Sequence, residues 1–413
     1  MAAVNWTGNA TGIKQVATIT IGGTWVQGDT VTVGNSTTGK SIVVTIGATV
    51  TVAGVCTAIA QAFNSTTPMT DTTASYQPVT GGKGIPEMAL ATAVAGTTTV
   101  VITGVTAGRP LGTFTIAKTS TAGTASIAAT TAATGPNHWD NTANWSTATV
   151  PVAADDVTVD RPVSILYGLG QSAVTLASLT VTPRFSSSAQ IGLPFRNAGG
   201  FEEFLATELA ISATTVTIDT QSRLIKLNLG SVQSTITVYR TGSSSETGRN
   251  ALQIRGTHAS NSIQIIGSTQ NSTAADVGIA TNGELATFAT VRQDTGTLTI
   301  GQAGGGTVTL TTVTKNGGTL GLYAAATTIT NYAGDLYHYS GAVTTASHYA
   351  GTWYDLTTAT YGTLTTEAVY NASGVGSKTI TSTTVSAGGS IVDTSDRVTY
   401  TNPITWRGTL TVT

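Results

Sequence analysis

The chain has 413 residues and a formal net charge of −2, with 9% charged side chains against about 25% in an ordinary soluble domain. That balance leaves no electrostatic footprint for nucleic acid or an anionic membrane surface. One cysteine, Cys56, excludes an internal disulfide framework and a Cys-based zinc site, and a 40% hydrophobic content argues against disorder.

Thr, Ala, Gly, Val and Ser dominate, and the β-branched residues among them favour strands. No apolar run of about 18 residues is present, so no membrane insertion is expected. The opening "MAAVNWTGNATGIKQ" lacks a basic segment joined to an apolar one. The expectation is export that leaves no N-terminal mark, or release inside a virus particle.

Residues 1–117 read as a small α+β docking module. "QVATITIGGTW", "GDTVTVGN" and "SIVVTIGA" alternate with period two between glycines and predict three strands. Val52, Val55, Cys56, Ile59 and Phe63 then recur at steps of three and four, which predicts one amphipathic helix over a sheet face. Further strands are predicted in "MALATAV", "TTTVVITGV" and "GTFTIAK". The order "GDTVTV", "TGKSI", helix resembles small modules of bacteriophage structural proteins.

Residues 118–137 form a Thr/Ala/Gly-rich run, either a linker or an edge strand. Residues 138–413 are expected to form a β-helix with a capping start at 138–160. There "NHWDNTANWSTATVPVAADDVTVD" resembles the opening of bacterial and phage surface β-solenoids. The resemblance implies a right-handed parallel β-helix whose first coil is capped by Trp139 and Trp145. A coil stack does need its apolar, unpaired end covered. Short strands follow without a helix, apart from an excursion over residues 194–210, "PFRNAGGFEEFLATELA".

The repeats are clearest over 311–413. "TTVTKNGGTLGLY", "TTITNYAGDLYHY" and "TTASHYAGTWYDL" begin at Thr311, Thr327 and Thr344, steps of 16 and 17 residues. That period is too short for a propeller blade or a helical repeat and fits one β-solenoid coil. Gly318, Gly334 and Gly351 should then stand in one vertical file, because corners need φ > 0. Regular coiling of residues 157–413 would give a rod of about 70 Å at ~4.8 Å per coil.

Candidate chemistry is sparse. The four histidines lack metal-site spacing, and no nucleophile elbow, P-loop or dinucleotide fingerprint is present. His338 and Asp355 hold matching positions in successive units and are expected as a surface pair. Asp155–Asp156 and Glu202–Glu203 are the adjacent acidic pairs, short of the two carboxylates across a cleft that a glycosidase needs.

No cofactor or metal is expected. Tyr332, Tyr337, Tyr339, Tyr349, Trp353 and Tyr354 form the candidate interaction surface, for subunit contacts or a glycan; the alternative is that part of the set fills the coil interior. The resulting expectation is a non-enzymatic structural protein of a phage virion: a decoration, fibre or capsid-associated protein with other virion proteins as partners and a homotrimeric tendency. The alternatives are a bacterial surface-layer or adhesin protein, and a tailspike-like polysaccharide-degrading enzyme.

Overall fold

The computed structural model describes residues 2–78, 88–186, 188–194, 205–267, 275–374, 376–394 and 396–407. Two compact units emerge: Gly8–Asn144, and the chain from Trp145 onward together with the residues up to Thr7.

The first unit is α+β. Val16–Gly23 lies between Thr99–Gly104 and Gly123–Thr131, with Ala91–Ala95 outermost, in an antiparallel sheet of four strands. A second antiparallel sheet orders Ser75–Pro78, Lys40–Thr45, Thr30–Asn35 and Phe114–Lys118. The predicted helix spans Val52–Phe63, and the Thr51 hydroxyl caps it by accepting from the Gly54 N–H at 3.1 Å. Val55, Cys56, Ile59 and Phe63 are buried on its inner face. That face packs against strands of both sheets, where a single covered sheet was expected. Asn64, at the helix end, fixes the edge strand by exchanging two hydrogen bonds with the Ala93 backbone.

The second unit is a parallel β-helix. Among the described residues 24 strands form one sheet, in which strands pair, in parallel, with their counterparts one coil further on. Gly318, Gly334 and Gly351 do stand in one file, at φ +72°, +78° and +83°. A Cβ added to Gly334 would lie 2.3 Å from the Gly318 carbonyl oxygen, and one on Gly351 2.1 Å from that of Gly334. No side chain fits between successive corners.

The outer face follows from the same register. Ser178, Thr215, Thr235, Ser262, Thr290, Thr312, Thr328, Thr345, Thr363 and Ser382 form a single column of hydroxyls. Between them and their neighbours two positions on, Val313, Ile329, Ala346 and Leu364 point inward and are buried. Such columns keep the strands β-branched and supply cross-strand pairs.

Three expectations are corrected. First, the repeat is not uniform. Successive partners are 27 residues apart from Thr235 to Ser262 and 28 from Ser262 to Thr290, but 16 from Thr312 to Thr328 and 17 from Thr328 to Thr345. Loops lengthen the early coils, so the stack from Asp156–Val159 to Thr405–Arg407 comprises eleven steps, about 53 Å rather than about 70 Å.

Second, the first unit extends past residue 117, and of the two readings of residues 118–137 the edge strand is found and the linker is not. The Thr/Ala/Gly run of 118–137 supplies Gly123–Thr131, paired along Val16–Gly23 as an edge strand of the first unit. Third, Ala3–Asn5 pairs with Asp156–Val159, so the first unit is an insertion within the opening coil of the β-helix. A three-residue strand carries too little periodicity to be read from sequence. The excursion predicted for 194–210 lies largely outside the described residues, as does the pair Glu202–Glu203.

Candidate functional site: a tyrosine comb outside and a polar core within

Strand alternation divides the predicted aromatic surface. Along Asp335–Ser340 and Thr352–Asp355, Tyr337 and Tyr354 point outward, and Leu336 and Trp353 inward. Tyr337 stacks on Tyr354 with ring centroids 4.6 Å apart and planes within 8°. Tyr323 stacks on Tyr339 at 4.4 Å, and Tyr332 on Tyr349 at 5.1 Å. Tyr332, Tyr339 and Tyr349 are 48%, 38% and 38% exposed.

The stacking runs along the coil axis, so within each pair the facing sides of the two rings cover one another. A sugar ring needs an open aromatic face; a flat protein surface needs stiff amphipathic contact area.

Trp353 is not part of that surface. It is fully buried, in the inward column Leu320, Leu336, Trp353 and Tyr370, because it occupies the inward phase of its strand. Tyr361 and Tyr370 each stand 6.1 Å from its ring. Its indole nitrogen has no hydrogen-bond partner among the described residues.

The pair His338–Asp355 is likewise interior. The two are register partners as expected, but both are fully buried where a surface pair was predicted. "DLYH" and "TWYD" place the fourth residue in the same inward phase as the second. Asp355 forms a 3.0 Å ion pair with Lys378, both side chains wholly inaccessible, and accepts from the Tyr370 hydroxyl. The His338 Nε2–H donates to the Ser340 carbonyl at 3.0 Å, so its Nδ1 accepts from the Tyr361 hydroxyl. Burial pulls the imidazole down to about 4, against the attraction of Asp355, and pushes the Tyr361 and Tyr370 phenols well up.

A second interior feature was missed. Gln293, Lys315, Asn331, His348 and Thr366 form one buried column at a corner. Each bonds a nearby turn carbonyl: Gln293 to Gly296, Lys315 to Ala333, Asn331 to Ala350, His348 to Val369 and Thr366 to Ala368. The corner carbonyls would otherwise be buried without partners. Burial lowers the Lys315 amine to about 8, with Asp335 opposing. The signal lay in "QDTG", "KNGG", "NYAG" and "HYAG": a hydrogen-bonding residue three before each corner glycine.

Of the two predicted cap tryptophans, Trp145 meets Trp6 edge to face at 5.0 Å at the start of the stack, and Trp6 donates to the Val163 carbonyl. Trp6 escaped notice because its strand is so short. Trp139 is buried but belongs to the Gly8–Asn144 unit, on the other side of the boundary. Asp155 accepts from the Val152 N–H at 2.9 Å, and Asp156 from the Ser178 hydroxyl at 2.6 Å, so both carboxylates serve the first turn.

A small recess over the early coils is lined in part by Glu208, Lys226, Gln253, Arg255 and Glu284. Its charges are matched internally. Lys226 pairs with Glu246 at 3.2 Å, Arg255 with Glu208, and Gln253 bridges Glu246 and Asn282. The arrangement stitches loops onto the coil face. Among the described residues no three His, Cys, Asp or Glu side chains converge as metal ligands. Comparison of the chain with protein-family models, with curated proteins and with solved structures finds no match.

Proposed function

We propose that this protein is a non-enzymatic structural component of an extracellular assembly, most concretely a phage virion decoration, fibre or capsid-associated subunit. In this reading the Gly8–Asn144 unit docks on the particle and the β-helix projects from it or packs against neighbours. The supporting observation is the tyrosine comb on a self-templating stack. Its rings are already ordered by each other, so a partner protein that packs on them loses little additional side-chain entropy. A neighbouring structural protein or a further copy, most simply in a trimer, is the partner we propose.

Immunogold labelling of the native source provides the test. Regular decoration of virions or of a surface lattice is the expected result; purified protein that remains monomeric in sedimentation and labels no particle overturns the reading. Depolymerisation of capsular polysaccharide by the purified protein would establish the enzymatic alternative instead.

A further inference from the structure

We propose that Lys378 and Asp355 become joined by a side-chain amide bond, a covalent staple inside the β-helix. The inference concerns the interior of the stack and holds whatever assembly the protein serves.

The geometry places nucleophile and electrophile in contact. Lys378 Nζ lies 3.0 Å from Asp355 Oδ2, and both side chains are completely inaccessible. Lys378 begins the strand Lys378–Ser386 in an inward position, two residues before Ile380, which stacks over Tyr361. Asp355 closes Thr352–Asp355 in the inward phase set by Trp353. Neither residue can turn to solvent without reversing its strand. The amine is held further by the Asp355 backbone carbonyl at 2.8 Å, which keeps Nζ beside the carboxyl group.

The surroundings of the pair are dry, both side chains being wholly inaccessible. Withdrawing two charges from water is costly, and the mutual attraction of the pair has to offset that cost. Transfer of one proton from Nζ to the carboxylate removes both charges at once and produces a neutral amine facing a carboxylic acid. The Tyr370 hydroxyl bonds Asp355, and the complete burial of both side chains excludes water that would compete or hydrolyse. Held at contact in a single orientation, the two groups have the large effective concentration of an intramolecular reaction.

The step balances without any co-reactant. Nζ forms a bond to the Asp355 carboxyl carbon and a carbon–oxygen bond of that carboxyl breaks. One of the two amine protons passes to the departing hydroxyl, which leaves as water. The Tyr370 hydroxyl donates to Asp355 Oδ2 and is the group placed to relay that proton. The product joins positions 23 residues apart, bridging successive coils at the polar end of the stack.

Intact-mass spectrometry of the purified full-length protein, under denaturing conditions, tests the proposal. The expected mass is the sequence mass less one water, and digestion should release a branched peptide containing Lys378 and Asp355. Lys378→Met should restore the full sequence mass. Tyr370→Phe should leave a mixture of linked and unlinked chains, because it removes the relay but keeps the ring. A wild-type mass equal to the sequence mass overturns the proposal. So does a water loss that persists in Lys378→Met, which would locate the dehydration elsewhere.

Discussion

The two units solve the burial problem in opposite ways. In Gly8–Asn144 a helix and two antiparallel sheets bury unlike surfaces against each other, and the shared core is apolar: Ile19, Val31, Val44, Ile59, Phe63 and Val100 meet there. In the β-helix each coil buries its inner side against a near copy. Its late interior holds Lys315, Asn331, His338, His348, Asp355 and Lys378, all buried. The difference teaches why a repeat tolerates a polar interior. Stacked corners present the same carbonyls at the same place in every coil, so one column of hydrogen-bonding side chains satisfies them all. A core assembled from unlike elements has no such recurring demand.

The contrast is broken most severely at the corner file. Gly351→Val sets a side chain against the Gly334 backbone at a positive φ, and the β-helix should lose roughly 3 kcal/mol or more. Gly28→Val in the other unit meets open space at φ +92°, so only the left-handed backbone penalty of about 1–2 kcal/mol applies. Urea unfolding of the two variants should show this order; equal losses would mean the corners are not tightly stacked.

Acid provides the next lever. His338 titrates at about 4 in the folded chain, below its ordinary 6.5, so the unfolded chain binds the proton more readily between those values. Its contribution is complete above about pH 6.5 and is lost as pH falls towards 4, amounting to roughly 3 kcal/mol at 1.36 kcal/mol per unit. His348, also lowered by burial, adds in the same sense. Unfolding followed from pH 7 to pH 4 should slope downward for the wild type and distinctly less for His338→Gln. A parallel slope in that variant would refute the assignment.

The corner column can be probed at Asn331, whose side chain meets His348 Nδ1 at 3.1 Å and the Ala350 carbonyl. Asn331→Ala should cost about 1–3 kcal/mol, because it leaves buried groups unpaired. An effect within measurement error would show that the column is not a stabilising device. The smallest change is expected for Thr51→Ala, about 1 kcal/mol, from loss of the helix cap. Hydrogen exchange should confine it to the Val52–Phe63 helix, leaving the β-helix amides untouched; spread into the coils would mean that the two units unfold together.

Much of this architecture was legible before any coordinates. Period-two alternation with repeated glycines located the late coils, and the switch to a three–four period located the helix. The phase of each strand was also written in the sequence: it placed Trp353 in one column with Leu320 and Leu336 while leaving its side open, whereas His338 was expected at the surface because side-chain identity was weighed above phase. Tyr354 and Tyr337, one residue away, do face outward. Alternation fixes relative sides with certainty, whereas Trp, His and Asp are each compatible with either environment.

The amino-acid order by itself determined that this chain would be a hydroxyl-coated β protein whose 16–17-residue phrases stack through glycine corners. Those properties depend on local sterics and on spacing, which a linear pattern records. Tertiary structure alone decided that Ala3–Asn5 closes the opening coil across an inserted unit, that tyrosine rings cover one another's faces, and that Lys378 meets Asp355. Such encounters join residues that no short period links, and chain folding chooses them by satisfying buried groups wherever partners come within reach.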